Sequence, residues 1–110
     1  MQNSLALKLN NIIKEMQDGL LPEALANWYS IIQSRAREHC PEDLREKIGI
    51  VQDPVLPMKF KLNISKRTVP FVISAIEQVL PEMPYSTRLY FEKVQEIILQ
   101  EFTKNKMGAQ

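Results

Sequence analysis

An all-α domain is the architecture expected of residues 1–110. It is a small helical bundle of about four main helices forming two antiparallel hairpins, with a short extra helix and an extended or minimal β segment near residues 50–64. Three observations carry this expectation. Apolar side chains recur every three or four positions over four long stretches, prolines and glycines fall at the joints between them, and one stretch, 56–64, changes to a period of two.

The first stretch places Leu5, Leu9, Ile12, Ile13 and Met16 on one arc and Lys8, Asn11, Lys14, Glu15 and Asp18 on the other, predicting an amphipathic helix over about 4–18. Asn3 or Ser4 suits its start, and Gly19 its end. Pro22 and Glu23 open a second helix, since a first helical residue tolerates a missing N–H and the helix dipole favours an acid there. Leu25, Trp28, Tyr29, Ile32 and Ala36 mark its inward face, and Cys40-Pro41 stops it because the residue before proline is pushed out of the helical region. Pro41, Glu42 and Asp43 then predict a short helix of about two turns that carries Leu44 and Ile48 and closes at Gly49.

Between Gly49 and Asn63 the prolines disfavour a helix, and Leu56, Met58, Phe60, Leu62 and Ile64 alternate with Pro57, Lys59, Lys61 and Asn63. An extended segment cannot satisfy its own backbone. It must pair with Ile50-Val51 around Asp53-Pro54, with a second copy, or with another protein. Beyond it, Ser65 or Thr68 suits the cap of a helix whose start Pro70 places near Thr68 and whose apolar face holds Val69, Val72, Ile73, Ile76, Val79 and Leu80, and Pro81 and Pro84 bracket the next connection. The last helix is expected over about 85–105, with Phe91, Val94, Ile97, Ile98 and Phe102 inward and Glu92, Lys93, Glu96, Gln100 and Glu101 largely outward.

Composition bounds the function. With 45% apolar and 25% charged residues and a net charge of +1, the chain reads as one globular domain rather than a disordered tail. Apolar runs fall far short of the roughly 20 residues needed to cross a bilayer, and the first residues lack a signal-peptide layout, so the expectation is a cytoplasmic protein without a membrane segment. A single cysteine excludes an internal disulfide, and Cys40 with the lone His39 leaves too few soft ligands for zinc. His39 and Cys40 are also sequence neighbours, which diverge on a helix and do not make a nucleophile–base pair. Glu38, Glu42, Asp43 and Glu46 interleave with Arg35, Arg37, Arg45 and Lys47 as solvated charge pairs rather than a hard-cation loop. No catalytic residue, metal or cofactor is therefore assigned.

What remains points to partners. Leu56, Met58, Phe60 and Leu62 are the candidate interaction residues, on an extended edge that another chain, or a second copy in a homodimer, could complete. Lys59, Lys61, Lys66 and Arg67 add four positive charges in a segment with no acid between Asp53 and Glu77. Lys59, Lys61, Ser65, Lys66, Arg67 and Thr68 are accordingly the candidate anion-binding residues, at the start of a helix. The expected function is a non-catalytic protein–protein interaction module, an adaptor or assembly protein. A nucleic-acid-binding regulator using 59–67 is the alternative, and an enzyme built around His39 with Tyr85 or Arg88 comes third.

Overall fold

Pro22, missing an N–H that a first helical turn does not need, opens α1 (Pro22–His39) without a side-chain cap at Leu21. The computed structural model describes Asn11 and residues 20–108, with side chains through residue 102. Apart from Asn11, the helix expected over 4–18 lies outside the described residues. α1 ends where Cys40 turns extended ahead of Pro41. It is followed by α2 (Glu42–Arg45), β1 (Gly49–Gln52), β2 (Phe60–Asn63), α3 (Val69–Val79), a 3-10 turn (Leu80–Glu82) and α4 (Tyr85–Gly108). The protein is thus mostly helical with a small two-stranded antiparallel sheet.

The expected helix after Pro41 is one turn rather than two. Gly49, which was to close it, is instead the first residue of β1, and buried Ile48 bridges the two elements. β1 and β2 pair with Gly49 opposite Asn63 and Gln52 opposite Phe60, so the extended segment finds its partner within the chain, at Ile50-Val51. The alternation read from the sequence appears as burial, with Phe60 and Leu62 inward and Lys61 and Asn63 outward. This corrects the assignment of Phe60 and Leu62 as interaction residues, because both are buried in the core.

The four helices and β2 contribute buried apolar side chains to one cluster, and Ile50 of β1 and Leu80 of the 3-10 turn, both partly buried, pack against it. At its centre Tyr29 of α1 lies 4.6 Å from the Phe60 ring of β2 and 4.8 Å from the Phe91 ring of α4, centroid to centroid. Tyr90 stands edge-on to both Phe91 and Tyr29. The Tyr29 and Tyr90 hydroxyls are 2.7 Å apart and hydrogen-bond to each other in the interior. Burial raises the Tyr29 phenol well above its ordinary pKa and pushes Tyr90 up to about 12, so both keep their protons at neutral pH. On α4, Val94, Ile98 and Glu101 share one face, and Glu101, expected outward, is buried with them.

Two stability predictions follow. Tyr29→Phe or Tyr90→Phe alone orphans the other buried hydroxyl and is expected to cost about 1–3 kcal/mol in urea unfolding, whereas the double variant costs clearly less than the sum; additive costs contradict the pairing. Phe60→Ala is expected to cost about 3–5 kcal/mol in the same assay, as a core residue does and an exposed docking residue does not.

Candidate docking hairpin

The hairpin is fastened to α1 by side chains. Arg37 donates from Nε and Nη2 to the Ile48 carbonyl at 3.0 and 2.7 Å, and the Ile50 N–H donates to Gln33 Oε1 at 2.7 Å. Asp53 N–H donates to the Lys59 carbonyl at 2.8 Å across the hairpin. With the strand register, this makes 49–63, 51–61 and 53–59 the hydrogen-bonded pairs. The backbone groups of Ile50 therefore point away from β2, and the Gln33 amide meets its N–H on that outer edge.

Residues 53–59 form the tip. Asp53 Oδ1 accepts from the Val55 and Leu56 N–H groups at 2.8 and 2.9 Å, curling the chain after Asp53. The Lys59 N–H donates to the Leu56 carbonyl at 2.9 Å, and Gln52 Nε2 donates to the Pro57 carbonyl at 2.8 Å. The Leu56 and Val55 N–H groups, with the Lys59 charge beside them, hold the Asp53 carboxyl below its ordinary pKa. These hydrogen bonds shape the tip while Val55 and Leu56 face water. Val55 is 80% exposed, Leu56 56% and Val51, on the outward face of β1, 55%, with Pro54 and Pro57 also exposed.

Of the expected interaction residues, Leu56 is exposed, Met58 half-buried and packed against the core, and Phe60 and Leu62 internal. Val51 and Val55 were not singled out from the sequence, although the run Pro54-Val55-Leu56-Pro57 breaks the alternation and signals an apolar turn. The expected anion site divides. The Ser65 N–H donates to Thr68 Oγ1 at 2.8 Å, and the Thr68 hydroxyl donates to the Ser65 carbonyl at 2.9 Å. Thr68 is fully buried, so its hydroxyl is not offered to an anion, a second correction with the same cause as the first. Lys61, Lys66 and Arg67 stay at the surface, Lys59 is half-buried, and the Arg67 guanidinium lies 3.9 Å from the Asp43 carboxylate.

Elsewhere, buried Cys40 directs its thiol to the Arg37 carbonyl at 3.5 Å while His39 faces solvent. His39 borders an open polar cleft of about 360 Å³ whose described lining is Ser30, Ile31, Ser34, Arg35 and Glu38 besides His39, with neither Tyr85 nor Arg88 in it. Among the described residues no three His, Cys, Asp or Glu side chains gather in a metal-binding group, and no helix is long and apolar enough to cross a membrane. No protein-family model, curated protein or solved structure matches the chain.

The Asp53 cap gives a pH prediction. Because its folded pKa lies below the ordinary value of 3.8, the cap stabilises the tip fully above that pH and is lost as pH falls through the folded value. The Val55 and Leu56 amide shifts, followed by NMR, are expected to titrate together with a midpoint under 3.8. A midpoint at or above it contradicts the cap.

Proposed function

We propose that this chain is a non-catalytic protein–protein interaction module, a small adaptor or assembly protein, which docks through the tip of its β-hairpin. One observation carries the reading: Val55 and Leu56 are largely exposed between two prolines on a turn that Asp53 caps with two hydrogen bonds. Exposed apolar surface is energetically unproductive in a free chain, and a pre-shaped turn loses little conformational freedom when it is covered. Val51 extends the patch along the outward face of β1.

The geometry favours this over nucleic-acid binding. Thr68 is buried with its hydroxyl engaged, and Arg67 lies near an acid, so fewer groups of segment 59–67 are free for phosphates than the sequence implied. The finer arrangement, a small bundle of two antiparallel helical hairpins in which 4–18 accompanies α1, belongs to the same proposal and rests on the amphipathic spacing of those stretches.

The test compares the tagged chain with a Val55→Asp, Leu56→Asp variant. Proteins co-purifying with the wild type, including untagged copies of the chain itself, are expected to drop at least about tenfold with the variant, whose helical circular dichroism and thermal midpoint stay close to wild type. Equal recovery with both proteins overturns the reading.

A further inference from the structure

The outward face of the hairpin joins the exposed tip to a cation. Side chains alternate across paired strands, so Val51 and Lys61, which stand directly opposite each other, project on the same side as Gly49 and Asn63. Phe60 and Leu62 take the other side, toward the core. A lysine so placed often lays its methylene stem over an apolar neighbour. Here the cover is incomplete: Val51 keeps 55% of its surface in water, and beyond it on the tip Val55 and Leu56 are exposed as well. The three apolar side chains and the Lys61 ammonium group therefore belong to one solvent-facing region of the hairpin.

Charge identifies what covers it. Neither strand contains an acid, and the sequence holds none between Asp53 and Glu77. Asp53, just after β1, turns its Oδ1 back to the Val55 and Leu56 N–H groups, with the Lys59 charge beside it. The Lys61 ammonium group is thus the charge that this face offers to a partner. Two copies meeting through the face would bring two Lys61 side chains into one small contact, which like-charge repulsion disfavours. We infer that the hairpin docks on an apolar surface of a different protein that is bordered by carboxylates, with Lys61 as the residue that selects the acidic border. The inference rests on the docking reading and names the chemistry of its partner. Val51, Val55 and Leu56 supply the apolar contact, and Lys61 beside them favours acidic surfaces and rejects basic ones.

The probe is a random-peptide library displayed on phage, selected on the full chain and cleared on the Val55→Asp, Leu56→Asp variant. Selected peptides are expected to combine large apolar residues with Asp or Glu. The most enriched one, made as a fluorescent peptide, is expected to bind Lys61→Glu at least about threefold more weakly than wild type, while the thermal midpoint of that variant stays at the wild-type value. Its charge-reversed form, with Lys in place of each acid, is expected to prefer Lys61→Glu. Binding should also weaken between about 0.1 M and about 1 M salt, as the screening length falls from roughly 10 Å to roughly 3 Å. Basic or uncharged selected peptides, or equal binding by Lys61→Glu, overturn the acidic border. A dimer seen by light scattering and dissolved by Val55→Asp, Leu56→Asp gives the face to a second copy and overturns the inference. Sedimentation with phosphatidylserine vesicles that requires Val55 and Leu56 gives the face to a membrane and overturns it with the docking reading. Failure to select any peptide, with co-purification still dependent on Val55 and Leu56, overturns the acidic border alone, and absence of both overturns the docking reading too.

Discussion

A pair of four-residue strands cannot hold itself together in water, so whatever this hairpin presents depends on how it is fastened to α1. The fastening has a polar and an apolar part. Arg37, charged and forked, takes the Ile48 carbonyl just before β1, and Gln33, one turn earlier on α1, takes the Ile50 N–H two residues later. Beneath them the Phe60 ring lies against Tyr29 of the same helix. Both parts come from residues spaced at about four along α1, namely Tyr29, Gln33 and Arg37, which therefore line one side of the helix. That side is where the sheet sits, and the neighbouring face, with Leu25, Ile32 and Ala36, serves the helical core.

The Tyr29–Tyr90 pair ties this arrangement to α4. A buried phenol needs a hydrogen-bond partner, and each of these is the other's. Tyr29 therefore touches β2 through its ring and α4 through both ring and hydroxyl, so α1, the sheet and α4 are positioned against one side chain. The exposed tip is supported from this depth. Asp53 shapes the turn locally, while the strands beneath it are anchored to the centre of the core.

The helices were legible because their boundaries are chemical. Pro22 and Pro41 bound α1, Thr68 precedes α3, and Pro84 precedes α4, with the apolar period of 3.6 running between. The strand was legible from its period of two, and so was the existence of a buried face bearing Phe60 and Leu62. Periodicity alone does not say whether a buried face meets its own core or another protein; that depends on Tyr29 lying under the sheet, some 30 positions away in sequence. Glu101 misled for a related reason. Charge places a residue outside by default, and only the register of Val94 and Ile98 on α4 shows that its position faces inward. Thr68 likewise looked like an open cap and is instead closed on Ser65 within the turn that precedes α3.

The candidate site was half legible for the same reason. Leu56 and the basic run were visible as composition, but which backbone groups of β1 meet Gln33 is a property of register, and register becomes readable once Ile50 is seen to pair with Leu62. With 50 opposite 62, the outward-pointing amide of Ile50 falls within reach of Gln33, and the outward-pointing groups of Phe60, Leu62 and Ile64 fall on the side away from α1. A slip by one residue would reverse both facts. It would bury Lys61 and expose Leu62, which the core does not tolerate. The burial of Phe60 and Leu62 and the capping of β1 by Gln33 are therefore consequences of a single register.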